Sequence, residues 1–86
     1  MASVAEVKSA IDAAIAQINE GQAAVRVAAE KLAEAQQSLA AALEGSGNEA
    51  VGAAQASLFQ AATDLEECLA ATVAAIEQAQ SYAAML

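Results

Sequence analysis

The stretch ALEGSGNEAV, residues 42–51, is the only segment of this chain with the composition of a helix terminator. Long runs rich in alanine, glutamine, glutamate and leucine lie on both sides of it, and the sequence contains no proline. Alanine has the highest helix propensity, so both flanking runs are predicted to be helical. Gly45 fits the left-handed position that ends a helix, and Ser46 or Asn48 fits the N-cap of the next. The turn is therefore predicted at Gly45, Ser46, Gly47 and Asn48.

The first helix carries a seven-residue repeat of branched apolar residues. They are Val4, Ile11, Ile18, Val25, Leu32 and Leu39. Three positions after each of them stands a mostly small residue: Val7, Ala14, Gly21, Ala28, Ala35 and Ala42. Both sets are predicted to face the partner helix, with branched side chains filling holes lined by alanine. Gly21 is expected to allow close approach near Thr72, or else to be a flexible point.

Ser3 followed by Glu6 predicts a capping box, so the first helix is expected over about 4–44 and the second over about 49–85. Two helices of nearly equal length joined by a short link predict an antiparallel hairpin. The fold class is therefore all-α, with a single domain over residues 1–86.

The second helix carries two apolar stripes. One comprises Val51, Leu58, Leu65, Thr72, Ala79 and Leu86, and the other Phe59, Ala62, Leu69, Val73, Ile76 and Ala83. The stripes are rotated by about 100° from each other, so one neighbouring helix is expected not to cover both. A second hairpin, either another copy of this chain or a different protein, is predicted to cover the rest and form a four-helix bundle. The predicted interface residues are Phe59, Leu69, Val73, Ile76 and Ile15; for Phe59, packing in the core is an equal alternative.

Charge excludes several classes of partner. The net charge is −8, with only Lys8, Arg26 and Lys31 positive. Nucleic-acid binding and adhesion to anionic membranes both need a basic surface, and neither is expected. No charge-free window reaches the roughly 18 residues of a membrane span. The N-terminus lacks the pattern of a secretory signal peptide, so the expected location is the cytoplasm, or outside the cell by a route independent of such a signal.

Residues for catalysis are missing. The sequence has no histidine, no CxxC pair and no phosphate-binding loop, so we expect neither an enzyme nor a cofactor, metal or small-molecule substrate. Cys68 is predicted to be a buried small hydrophobe, with a disulfide across a symmetric dimer as the alternative. Asp64, Glu66 and Glu67 are interpreted as a solvated helix face, because neighbouring side chains on a helix diverge.

These features together resemble the WXG-type helical hairpins of actinobacteria, small proteins of type VII secretion. The resemblance covers the whole length: a short, acidic, alanine-rich and glutamine-rich chain with two long helices around a central turn. It implies homodimeric or heterodimeric four-helix bundles that act as secretion substrates, partners or adaptors. Ser81-Tyr82-Ala83-Ala84 stands where the related Pro-Glu hairpins carry a tyrosine. The resemblance thus marks Tyr82 as a signal for export or partner recognition.

Alternatives remain. The chain has no tryptophan for the family's Trp-x-Gly turn, and the residue four positions after Tyr82 is Leu86, where the family's export motif has an acid. Both departures favour a cytoplasmic coiled-coil adaptor or scaffold unrelated to secretion. A filament-forming subunit is a third hypothesis, although such hairpins usually have a proline in the turn. The residues alone favour a structural role for Tyr82, packing over the open end of the hairpin against the first turns of the first helix.

Overall fold

The computed structural model describes residues 2–44 and 49–86, of which 49–51 are described by their backbone alone. Two helices account for nearly all of these residues: α1 spans Val4–Ala42 and α2 spans Glu49–Ala84. They pack against each other as an antiparallel hairpin, and the described ranges contain no β-strand. The predicted all-α hairpin is confirmed. The predicted turn residues Gly45, Ser46, Gly47 and Asn48 lie outside the described residues.

Both ends of α1 have local causes. Ser3 has extended backbone, and its Oγ accepts a hydrogen bond of 3.1 Å from the Glu6 N–H, as the capping box predicts. The helix ends two residues before the predicted boundary. There the Leu43 N–H still donates to the Leu39 carbonyl at 3.0 Å, but Leu43 itself has left the helical conformation, with φ −108° and ψ 9°.

The seam between the helices follows a seven-residue repeat on both sides. From Ile11 to the C-cap Leu43, the buried or half-buried positions of the first helix recur at alternating steps of four and three, and Val7 is half-buried four residues earlier. These positions are Ile11, Ile15, Ile18, Gln22, Val25, Ala29, Leu32, Gln36, Leu39 and Leu43. In α2 the matching positions are Gln55, Leu58, Ala62, Leu65, Leu69, Thr72, Ile76, Ala79 and Ala83. This spacing is that of a two-stranded coiled coil.

The structure corrects the predicted inward face of α1 by one residue. Val4, also predicted to face inward, is 51% exposed. Val7 and the branched residues from Ile11 to Leu39 are half-buried as expected, but Ala14, Gly21, Ala28, Ala35 and Ala42 are exposed. The residue after each of them faces α2 instead. Rotating the helix in this way brings Ile15 and Leu43 into the seam, so both gain apolar contact that the predicted arrangement would leave unused.

Among the residues that the structure describes, one hydrogen bond joins the two helices. The Gln22 Nε2 donates to the Thr72 Oγ at 2.9 Å, and the Thr72 hydroxyl donates in turn to the Leu69 carbonyl at 2.7 Å. Gln22 is the only buried side chain among the described residues, at 6% exposed. The bond fixes which residue of α1 lies opposite which residue of α2, one position away from the predicted pairing of Gly21 with Thr72.

The hairpin has no closed hydrophobic core. No hydrophobic side chain in the described ranges is buried, because each helix covers only one side of the other. The molecule is a rod with extents of 64 × 17 × 15 Å. Its accessible surface of 6002 Å² compares with about 4,650 Å² for a compact monomer of this mass, 8.5 kDa. This shape leaves long faces of both helices without protein contact.

Two further predictions are wrong. Cys68 is exposed, because it stands one residue before the seam position Leu69. Gly21 is exposed as well, and a Cβ placed on it would meet nothing within 4 Å, so close approach of α2 does not explain this glycine. In the part of the chain that the structure describes, neither helix is apolar enough over a sufficient length to cross a membrane.

Candidate interaction surface

The seam divides the outside of the hairpin into two flanking faces. In α1, one face consists of the residues directly after Ile11, Ile18 and their equivalents in later heptads. The other face consists of the residues directly before Ile15, Gln22 and their equivalents. The residues of α2 divide in the same way. α1 and α2 run in opposite directions and both are right-handed. Equivalent heptad positions of the two helices therefore lie on the same side of the hairpin.

One side contains the most exposed aromatic residue and is called here the Phe59 face. It comprises Asp12, Asn19, Arg26, Ala33 and Ala40 of α1 and Gly52, Phe59, Glu66, Val73 and Gln80 of α2, all exposed. Phe59 is 68% exposed and Val73 45%, although both have large apolar side chains. Large aromatic side chains in contact with water are preferred anchors of protein interfaces. This face therefore combines apolar anchors with one cation and two acids.

The opposite side is called the Cys68 face. It comprises Ala14, Gly21, Ala28, Ala35 and Ala42 of α1 and Ala54, Ala61, Cys68, Ala75 and Tyr82 of α2. It carries no charge, but nearly all of its side chains are small, so each contributes little apolar area. Only Tyr82, 52% exposed and near the end of the hairpin, offers a large contact surface.

The structure separates the predicted interface residues into two groups. Phe59 and Val73 lie together on the Phe59 face, and their exposure excludes the alternative that Phe59 packs in a core. Leu69, Ile76 and Ile15 are half-buried in the seam of a single hairpin. The prediction that one helix cannot cover both stripes of α2 holds for Phe59 and Val73, which stay exposed, but the seam takes residues from both stripes rather than from one. A contact of these three residues with a second hairpin stays a prediction.

Sequence reasoning missed Arg26 and Glu66 as members of this surface. Each follows a seam residue by one position, Val25 and Leu65 respectively, and this spacing is the signal that could have found them. Glu66 was grouped instead with Asp64 and Glu67. All three are exposed, and Asp64 accepts a hydrogen bond of 2.8 Å from Gln60.

Chemistry beyond surface contact has little support in the geometry. Among the described residues, no group of three histidine, cysteine or acidic side chains could hold a metal ion, and no cavity was found. The exposed Cys68 thiol has no histidine beside it, because the sequence contains none. Comparison with known proteins found no matching family model, no similar curated protein and no similar solved structure.

Proposed function

We propose that this chain is a non-catalytic helical-hairpin interaction module that works by packing the Phe59 face against another helical hairpin. The observation that carries the proposal is the exposure of Phe59, 68%, on a helix whose other bulky apolar side chains mostly lie in the seam. An exposed phenylalanine on a regular helix gains nothing within the hairpin. Burial of its ring against a partner would contribute about 1.5–3 kcal/mol.

The size of the unoccupied surface supports the same conclusion. The chain exposes roughly 1,300 Å² more than a compact monomer of equal mass, as a result of its rod shape. A standard interface takes about 800 Å² from each partner. One side of the hairpin is thus sufficient for a stable contact, and the product would be a four-helix bundle.

The resemblance to WXG-type hairpins supports a role as a substrate, partner or adaptor in type VII secretion. Tyr82, half exposed near the end of α2, would then serve as a recognition signal. The alternative is a cytoplasmic adaptor or scaffold unrelated to secretion, which the missing Trp-x-Gly turn favours. A neighbouring gene for a secretion ATPase or a second hairpin would favour the first role over the second.

The test replaces Phe59 and compares it with a matched exposed residue. Val27 is 57% exposed and lies on the outer surface of α1, away from the seam and both flanking faces. Phe59→Asp and Val27→Asp each place a carboxylate on an exposed helix position. We expect Phe59→Asp to weaken association by roughly 30-fold or more, as at an interface hot spot, and Val27→Asp to leave it unchanged.

Light scattering and circular dichroism measure the outcome on the purified protein. A helical dimer near twice 8.5 kDa that only Phe59→Asp dissociates supports the proposal, with a second copy as the partner. A poorly helical wild-type monomer also supports it, since the hairpin would then need a different chain to fold. A cooperatively folded monomer, with the same melting temperature in the Phe59→Asp variant, contradicts it.

A further inference from the structure

Two opposite charges lie side by side on the Phe59 face. Arg26 is four residues after Gln22, and Glu66 is six residues before its hydrogen-bond partner Thr72. At 1.5 Å per residue, their Cα atoms lie within about 3 Å of the same height along the rod. Both side chains are exposed, and the only ion pair in the described ranges joins Lys31 to Glu34. Arg26 and Glu66 therefore have no ionic partner within the described hairpin.

The same count of 1.5 Å per residue places Phe59, the largest apolar residue of the face, opposite a small residue. Counted from the Gln22–Thr72 bond, Phe59 and Ala33 also lie within about 3 Å of one height. Val73 stands level with Asn19, and Gln80 with Asp12, by the same count. Each pair has one member on α1 and the other on α2, and two of the pairs are complementary: Arg26 with Glu66 in charge, and Phe59 with Ala33 in size.

We propose that the partner of the Phe59 face is a second copy of this chain, related to the first by a two-fold axis parallel to the long axis of the hairpin. The inference rests on the proposed function and adds the identity and orientation of the partner. A rotation about that axis keeps every residue at its own height and places α1 of one copy over α2 of the other. Arg26 of each copy then lies over Glu66 of the other, and Phe59 over Ala33.

Self-association is otherwise unfavourable for a chain with net charge −8, because two such chains repel each other. The proposed arrangement avoids contacts between like charges in the described part of the face. Glu66 meets Arg26, and Asp12 meets the amide of Gln80. An interface in which each contact occurs twice, with the same two residues exchanged between the copies, is the isologous contact of a closed dimer.

The available area is sufficient for this dimer. One long side of a rod of 64 × 17 Å offers roughly 1,000 Å², against about 800 Å² per partner for a standard interface. The Phe59 ring above Ala33 supplies the apolar contact. Exposed ion pairs add little affinity, but like charges in the same place are strongly unfavourable. The reciprocal Arg26–Glu66 pairs therefore determine the specificity for this partner and this orientation.

The experiment exchanges charges between chains. In Arg26→Glu, two acids meet twice in the dimer, and in Glu66→Arg two cations do. We expect the dissociation constant of each variant alone to rise by about 10-fold or more. Mixing the two variants restores opposite charges at both contacts, but only between unlike chains. The mixture should therefore form a heterodimer whose affinity is within about 3-fold of the wild-type dimer.

Matched controls keep the net charge equal. Lys31→Glu changes the charge by the same amount as Arg26→Glu, and Glu67→Arg by the same amount as Glu66→Arg, but both lie outside the Phe59 face. Neither should change the dissociation constant by more than about 3-fold, because exposed charges away from an interface act weakly. Recovery of affinity in the mixture would also exclude an Arg26–Glu66 pair within one chain as its cause. Each chain of the mixture still carries two like charges at these positions, so only contacts between chains can have improved.

The outcomes separate this inference from the proposed function. A heterodimer that forms from two weakly associating variants supports the second copy and its orientation. A wild-type dimer that Phe59→Asp dissociates but the charge exchanges leave unchanged contradicts the orientation, while the interaction module stands. A wild-type chain that stays a poorly helical monomer contradicts the second copy as partner and leaves a different hairpin as the partner of the same face.

Discussion

At the scale of single residues, the pair Gln22–Thr72 determines the register of the hairpin. Most seam residues are alanine or aliphatic, and such side chains pack almost equally well after a shift of one heptad. A buried glutamine requires its hydrogen-bond partner, and only one register provides Thr72 at 2.9 Å. The pair thus acts as a polar residue in a coiled-coil seam does: it selects one alignment among several.

Removing one member of this pair should cost more than removing both. In Thr72→Val, the Gln22 amide stays buried without an acceptor, and we expect a loss of about 1–3 kcal/mol in the free energy of unfolding. The double variant Gln22→Leu/Thr72→Val should recover most of that loss, because no polar group is left unsatisfied. Urea unfolding of the two single variants and the double variant measures the coupling.

Thr63→Val is the matched control for this cycle. The Thr63 hydroxyl donates to the Phe59 carbonyl within α2 at 3.1 Å and has no role between helices. Its loss should change stability by less than about 0.5 kcal/mol. Additive effects of the Gln22 and Thr72 substitutions would show that the bond does not couple the helices.

At the scale of the helices, sequence predicted existence and boundaries better than orientation. Glycines without proline located the break, and Ser3 with Glu6 located the first turn of α1. The rotation of α1 was not predictable from apolar pattern alone, because alanine is compatible with both the seam and the surface. The decisive positions carry Gln22 and Gln36, and glutamine is a residue type found mostly on protein surfaces. Gln22 can face inward only because Thr72 of the other helix accepts its hydrogen bond.

The same rotation predicts the effect of a substitution in the middle of α1. Gly21 lies inside the helix and is exposed on the Cys68 face, with open space around an added Cβ. Gly21→Ala should therefore stabilise the hairpin by about 0.5–1 kcal/mol, through the higher helix propensity of alanine. Thermal unfolding at a fixed protein concentration measures the change. A loss of stability would mean that another surface covers Gly21, and hence that the Cys68 face is occupied.

At the scale of the whole molecule, the exposure of large apolar side chains such as Phe59 and Val73 is the observation that supports the proposal of a partner. Sequence reasoning reached the same proposal from the two apolar stripes of α2, and Phe59 and Val73 are stripe residues that the structure leaves exposed. It could not choose the face, because the choice depends on which residues of α1 and α2 share a side and a height. Those relations follow from the seam and from one hydrogen bond between the helices, and both are properties of the folded pair.

The reactivity of the Cys68 thiol indicates which face of the hairpin is covered in the dimer. In the proposed dimer, the Cys68 faces of the two copies point outward on opposite sides of the bundle, so the two thiols are kept apart. Mild oxidation of the native dimer should therefore give no disulfide-linked dimer on a non-reducing gel, because Cα atoms more than about 7 Å apart cannot be bridged. A maleimide reagent should still label the exposed thiol without denaturant. Rapid formation of a linked dimer would place the Cys68 face at the interface instead.

The regular seven-residue seam has a consequence for how such a protein could change its reach. Inserting seven residues in α1 and seven at the matching height in α2 would lengthen the rod by about 10 Å. Every residue beyond the insertion would keep its angular position, and both flanking faces would continue uninterrupted. An insertion of one or two residues in one helix would rotate the rest of that helix by about 100–200° and turn it out of the seam. The length of the hairpin can therefore change by whole heptads in both helices while its recognition surface is preserved.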